Sequence, residues 1–296
     1  MILKRNKVFF ITTTVITLVV CAIILALLIN IQAFKPQIEA AASNALGMEV
    51  RIKGRLGIAL VPGFGISLKD ISVWNGEAAV VTVEKMKIGL KLIPLTRHEV
   101  RLTRVGVVKP VFTLVRFKNG TFNFEKPGRA LLERLLTVKK TFISRGRLVY
   151  TDERSGERVE VDDFDGAVGN LSFRGSAGAE PFKNVSFTGN MRCGTIAINN
   201  FTLTNIKMRM AGGKGILEID PVSMDIFGGT GNGSLRVDVT GASPQYRVIA
   251  ALDRIRIEEL IQASTPGENP RKIVEGMVNA AADVTAAGKS ATEVKR

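Results

Sequence analysis

Gly65-Ile-Ser-Leu-Lys-Asp-Ile-Ser-Val73, followed by Val81-Thr-Val83 and Met86-Lys-Ile-Gly-Leu-Lys-Leu92, interleaves apolar residues with charged, hydroxyl or glycine ones. Successive side chains of an extended chain point to opposite faces, so this pattern gathers the apolar groups of a strand on one side. The alternation recurs upstream at Val50-Arg-Ile52 and downstream at Val100-Arg-Leu102, Val105-Gly-Val107, Leu148-Val-Tyr150 and Val159-Glu-Val161. It continues at Phe201-Thr-Leu203, Ile206-Lys-Met208-Arg-Met210, Leu217-Glu-Ile219, Met224-Asp-Ile226, Leu235-Arg-Val237-Asp-Val239 and Tyr246-Arg-Val248. Pro62-Gly-Phe-Gly65, Asn75-Gly76, Pro94 and Asn119-Gly120 punctuate the runs as turn residues do. The pattern predicts about fifteen short strands in meander order, too many for one flat sheet. The expected architecture is mainly β, built on a long, curved antiparallel sheet.

Few helices accompany it. Ala33 to Ala45 reads as a short helix stopped by Gly47, and Arg129 to Lys140 carries Leu131, Leu132, Leu135 and Leu136 at helical spacing. A helix near Ile257 to Ala263 precedes a Pro- and Gly-containing loop and a last strand-like stretch, Gly276 to Ala286. A sheet with one apolar face must bury it against a second sheet, helices or a ligand. The pattern alone leaves two solutions open: a sandwich or barrel, and a trough whose interior holds acyl chains.

Composition narrows the chemistry. The 296 residues include 41 Lys+Arg against 27 Asp+Glu, one histidine, two cysteines and 29 glycines, with 6% aromatic residues. His98, Cys21 and Cys193 are too few for a His/Cys zinc cluster or a disulfide framework. His98 lies in a turn-like Thr96-Arg-His-Glu99 stretch without a nucleophile elbow, so no catalytic residue is expected and the chain does not read as an enzyme. Asp162, Asp163 and Asp165 lack calcium-loop spacing and read as a solvated turn; no metal or other cofactor is expected. Gly54-Arg-Leu-Gly57 and Gly212-Gly-Lys-Gly215 lead into no phosphate-binding helix. Basic residues lie singly along strands without an aromatic stacking platform, which argues against nucleic acid as a partner.

Val8 to Ile31 is uncharged. As a helix its 24 residues extend about 36 Å, enough to span a bilayer with some tilt. Lys4, Arg5 and Lys7 precede it, which by the positive-inside rule predicts a cytoplasmic N-terminus and export of the chain beyond residue 31. A cleaved signal peptide is the rival reading, but its apolar core would be shorter. Without the three leading cations, 38 Lys+Arg face 27 acidic residues, so the exported part keeps a charge of +11.

Taken in order, Gly54-Arg-Leu-Gly-Ile-Ala-Leu-Val-Pro62, Gly65 to Val73, Lys85-Met-Lys-Ile-Gly-Leu-Lys-Leu-Ile-Pro-Leu95, Val105-Gly-Val-Val-Lys-Pro110 and Gly120-Thr-Phe-Asn123 resemble the N-terminal region of the AsmA family of bacterial inner-membrane proteins. Gly215-Ile-Leu-Glu-Ile-Asp-Pro221 followed by Ile226-Phe-Gly-Gly229 resembles that family's second signature, with Phe122 and Phe227 standing where Trp and Tyr are frequent. The resemblance covers nearly the whole chain. Family members commonly continue with a second β-rich half; a short member, a truncated product and a split partner would all end as this chain does.

The resemblance implies a trough rather than a sandwich: a chorein-like start, an open apolar β groove in the periplasm and a role in outer-membrane homeostasis. The implied organisation is a cytoplasmic 1–7, a transmembrane helix 8–31, a membrane-exit helix 32–48, a chorein-like β region 49–127, an amphipathic helix 128–141, a continuing trough 142–256, and a helix, loop and last strand at 257–296, the last segment truncated on one reading. The implied partners are phospholipid, the inner membrane and periplasmic lipid-transfer or outer-membrane assembly proteins. Residues expected to line the groove are Ile66, Leu68, Ile71, Val73, Val81, Val83, Met86, Ile88, Leu90, Met208, Ile219, Ile226 and Val237. The alternative role is a scaffold that affects outer-membrane protein assembly through protein contacts.

Overall fold

The computed structural model describes residues 14–15, 17–18, 31–59, 63–91, 102–124, 138, 140–173, 185–241, 243–264 and 274–288. The span expected at 8–31 falls almost wholly outside them, as does His98. Among the described residues no helix is long and apolar enough to cross a membrane.

A 3-10 turn at Ile31–Phe34 leads into helix α1 (Lys35–Leu46), which has Pro36 in its first turn and ends at Gly47 with φ 70°. Only glycine takes that left-handed cap without steric cost, and its N–H donates to the Ser43 carbonyl at 2.9 Å. Strands come next: β1 (Glu49–Ile52), β2 (Gly57–Ala59), β3 (Gly65–Asn75), β4 (Ala78–Leu90), β5 (Leu102–Arg116), β6 (Lys140–Asp152) and β7 (Arg158–Phe173). After them come β8 (Val185–Ile198), β9 (Phe201–Gly213), β10 (Ile216–Ile226), β11 (Gly229–Asp238), β12 (Gln245–Arg256), helix α2 (Ile257–Ser264) and β13 (Met277–Ala287).

All thirteen strands belong to one open sheet in sequence order from β1 to β13, with β2 sharing the β3 edge with β1. The first and last strands do not meet, so the sandwich and the closed barrel are both ruled out in favour of a single open layer. The expectation of an antiparallel meander is corrected at one place: β5 and β6 run parallel, pairing Arg104 with Lys140 and Arg116 with Asp152. The chain between them must cross from one end of the sheet to the other, because parallel neighbours cannot be joined by a tight turn. Of the helix expected at 128–141 only Val138, Lys140 and Thr141 lie among the described residues, and the last two already belong to β6.

The strands are fewer and longer than the alternation suggested. Val81-Thr-Val83 and Met86 to Leu90 are two arms of one strand, and so are Leu217 to Ile219 and Met224 to Ile226. The period-2 reading ends each run where the apolar phase slips, and the slip is a mid-strand irregularity rather than a turn.

Polar side chains of the N-terminal segment occupy the free edge of the first strands. Val50 N–H donates to Ser43 Oγ at 2.8 Å, and Ile52 N–H donates to Glu39 Oε1. Gln32 Nε2 donates to the Leu56 carbonyl at 2.7 Å, while its Oε1 accepts from Leu56 N–H at 3.2 Å. Ile31, Ile38, Ala42 and Leu46 pack on a cluster of Val50, Ile52, Leu56, Leu68, Ile71 and Val83. An edge so covered cannot pair with another chain.

Where β5 ends and β6 ends beside it, Asp152 is 5% exposed and organises both turns. It accepts from Arg154 N–H at 2.8 Å and from Arg116 Nη1 at 3.2 Å. The Arg154 N–H first, then the Ser155 N–H and Arg116, hold its carboxyl below the usual aspartate range against the opposing effect of burial. A lowered folded-state pKa contributes stability that is present above the unfolded pKa and is lost as pH falls through the folded one. Asp152→Asn should therefore lower the thermal midpoint at pH 7, and the gap from wild type should close as the pH drops below the aspartate range. A gap that stays constant in calorimetry across that range would contradict the assignment.

Candidate functional site

Residues directly opposite one another on neighbouring strands share a face, so the register traces the apolar side across the whole sheet. Val50 and Ile52 pair with Val73 and Ile71. Ile66, Leu68, Ile71 and Val73 in turn oppose Ile88, Met86, Val83 and Val81. Met86 and Ile88 meet Val107 and Val105, Phe112 meets Leu148, and Phe164 and Val161 meet Cys193 and Ile196. Cys193 and Ile196 meet Ile206 and Leu203, Met210 meets Ile219, Ile219 meets Leu235 and Leu217 meets Val237. Every residue expected to line a groove lies on this one face, Leu90 at its margin beside Leu102.

The face stays continuous because its residues step by three, instead of two, once in most strands. The steps are Leu68 to Ile71, Val83 to Met86, Val107 to Pro110, Ile143 to Gly146, Val161 to Phe164, Cys193 to Ile196, Leu203 to Ile206, Ile219 to Val222 and Leu252 to Ile255. From β3 to β6 and from β7 to β9 the steps face one another and the pairing register runs through them unshifted, whereas at Ile143 to Gly146, Ile219 to Val222 and Leu252 to Ile255 a step faces a two-residue one and the extra residue is a β-bulge. Asp70, Lys109, Arg145, Asp163, Asn205 and Arg254 sit in these steps with φ between 48° and 53°. Every strand from β3 to β10 has such a step, so the steps form a line across most of the sheet.

Burial tracks that line. Leu68, Ile71, Val83, Phe164, Cys193, Ile206 and Ile255 flank the steps and are each less than a tenth exposed. The same face becomes half-buried along both arms, and Phe201 at an arm's end is 38% exposed. Phe112 and Phe164 stack across β6 with centroids 6.3 Å apart, above Gly146. Phe164, Cys193 and Ile206 form the centre of a cluster joined by Met191, Met208, Met224 and Ile196. Alternation does not single out Phe164 or Cys193. Phe164 stands between Asp163 and Asp165, and Cys193 beside Gly194, where no period-2 run announces them.

The reverse face carries the charge. Lys109 meets Glu84 at 2.6 Å, Arg147 meets both Glu160 and Asp162 at 3.0 Å, and Asn205 donates to Asp225 at 2.6 Å. The Lys109 hydrogen bond holds the Glu84 carboxyl below its ordinary range. The three aspartates near 163 have separate roles: Asp162 pairs with Arg147, Asp163 sits with φ 52° in the three-residue step of β7, and Asp165 accepts from Arg145 N–H at 3.0 Å. Open depressions of about 720 and 540 Å³ lie mainly on this polar face, around Phe142, Asn190 and Arg209. Burial pushes the Cys193 thiol above its ordinary pKa, as expected of an inert sulfur among apolar neighbours.

A Cβ at residue 146 would lie 2.4 Å from Phe164 Cζ. Gly146→Ala should therefore destabilise the fold by about 1–3 kcal/mol through overpacking. Phe164→Leu in the same chain should recover part of that loss. Urea unfolding of the two single variants and the double gives the coupling, and strictly additive costs would refute the contact.

Two sequence signatures now have structural roles. Asn123 Nδ2 donates to the Thr113 carbonyl at 2.7 Å while its Oδ1 accepts from Val115 N–H at 2.8 Å, so it completes the β5 edge where β4 has ended. Phe227 and Gly228 make the turn from β10 to β11, and a Cβ on Gly229 would lie 2.4 Å from the Asp253 carbonyl oxygen. No curated protein and no solved structure matches the chain significantly. The AsmA family profile matches residues 3–131 and 136–296, nearly the full length. With its signatures at structural positions of an open β sheet, the chain belongs to the AsmA family.

Proposed function

We propose that this is a non-enzymatic protein that binds or moves phospholipid along an apolar β trough, anchored in the inner membrane by residues 8–31 with residues 32–296 in the periplasm. The observation that carries the reading is the unbroken apolar face of an open sheet, most buried along the line of three-residue steps. On this reading the sheet bends along that line, with its apolar side as the floor of a trough. Acyl chains would lie along that floor, each sheltered methylene contributing about 0.8 kcal/mol. Movement along it requires no bond chemistry, only a difference in lipid chemical potential between its ends. Membership of the AsmA family supports a place in outer-membrane and lipid homeostasis.

The scaffold reading draws on a different feature. β13 is exposed along almost its whole length, with Met277 68% and Val284 55% exposed, and a free strand edge is a template for pairing with another chain.

Photo-crosslinking in the intact chain separates the two. A photoactivatable residue at Met208 or Leu235 should capture phospholipid, while one at the neighbouring Lys207 or Arg236, on the opposite face, should not. Met210→Arg, at a half-buried position of the same face, should abolish capture at Met208 with the circular dichroism spectrum unchanged. Capture of protein but never lipid from the apolar positions would favour the scaffold.

A further inference from the structure

On the polar face of β3 to β6, cations stand against cations. Lys69 is directly opposite Lys85, and Arg104 directly opposite Lys140. Lys87, opposite Gly106, lies on the same face between these pairs. Lys85 is half-buried and the other four are exposed, and none of the five has an ion-pair partner among the described residues. Glu84, whose carboxyl feels Lys69, is already held by Lys109 at 2.6 Å. Elsewhere on this face at least one member of each opposed cation pair has a carboxylate partner: Arg236 opposes Arg247, but Arg236 pairs with Glu218 and Arg247 with Asp283, and Arg192, opposite Lys207, pairs with Asp165. Like charges directly opposite on adjacent strands destabilise a sheet, so an uncompensated group of five calls for an external anion.

An aromatic ring lies among them. Phe142 is 43% exposed and opposes Gly106, as Lys87 does from the other side, so it belongs to the polar face rather than to the groove. An exposed aromatic ring surrounded by cations is the composition of a surface that rests in a bilayer interface: the ring enters the headgroup boundary and the cations meet lipid phosphates. The fold also brings this surface near the bilayer of the proposed function, on which the inference rests. Gln32, one residue beyond the proposed span, is hydrogen-bonded to Leu56 in the loop between β1 and β2. From β3 to β6 the sheet extends only about 14 Å further.

We infer that Lys69, Lys85, Lys87, Arg104, Lys140 and Phe142 form a docking surface for an anionic phospholipid bilayer, holding the first strands against the membrane from which the chain emerges. The lipid that feeds the groove and the lipid that holds the sheet would then be met by opposite faces of the same strands.

The test uses the full chain with vesicles of phosphatidylcholine alone or mixed with phosphatidylglycerol, scored by flotation and by amine labelling read by mass spectrometry. With anionic vesicles, Lys69, Lys87 and Lys140 should label about fivefold more slowly or less, on the scale of one cation's attraction to an anionic surface. Lys118, in the turn after β5, should be unaffected, and high salt should remove the protection. A Lys87→Glu, Arg104→Glu pair, placed at exposed positions, should abolish protection at Lys140 without changing the dichroism spectrum. If the chain fails to float with neutral vesicles, the anchoring reading fails, and flotation with anionic vesicles alone then supports the surface. Flotation with neither, equal labelling in both lipids, or protection that only an added acidic protein produces would overturn it.

Discussion

One constraint governs this structure: a β-strand presents alternate residues to alternate faces, so a strand whose two apolar runs are out of phase keeps one apolar face only if that phase is reset between them. The three-residue steps do that. Were alternation regular through Asp70, Ile71 and Val73 would turn to the face of Lys69 while Ile66 and Leu68 stayed inside. Left-handed backbone at a residue other than glycine costs about 1–2 kcal/mol. The chain accepts that at Asp70, Lys109, Arg145, Asp163, Asn205 and Arg254, and several of these polar groups are bonded on the reverse face. Leu68, Ile71, Val83, Phe164, Cys193 and Ile206 flank these steps and are buried, so one device serves both the continuous face and the core.

A single layer leaves two vulnerable borders, and they are handled differently. At β1, side chains from Gln32, Glu39 and Ser43 take the free backbone donors, and the apolar residues of α1 close the end of the first cluster. At β13 the described residues offer no such cover: the strand is exposed along nearly all its length, held by its pairing with β12 and by the Arg247 to Asp283 ion pair at 2.7 Å. Among the described residues the sheet is therefore directional, with the β1 end covered by the N-terminal segment and the β13 end uncovered.

Much of the apolar face was legible because it consists of period-2 runs. Ile66, Met86, Met208, Ile219 and Val237 each belong to such a run and share the face that the register defines. Phe164, Cys193 and Gly146 escaped, since each flanks a three-residue step where local alternation fails and only the neighbouring strands reveal which way a side chain turns. The parallel pairing of β5 with β6 was equally hidden. The leucines at helical spacing between Arg129 and Lys140 mark a connection long enough for parallel pairing, but which two strands pair depends on register that no single segment displays.

By itself the sequence determined that the chain is β-rich, that each strand has an apolar side, that helices are few, and which family its signatures resemble. These properties arise from local periodicity, turn residues and ordered motifs, all of which act over a few residues. Only the tertiary structure decided that the strands form one open sheet, that broken alternations are phase resets within long strands, and that cations from separate strands stand uncompensated together. Each of those depends on register between residues far apart in the chain, and register is set by strand pairing rather than by any single strand's composition.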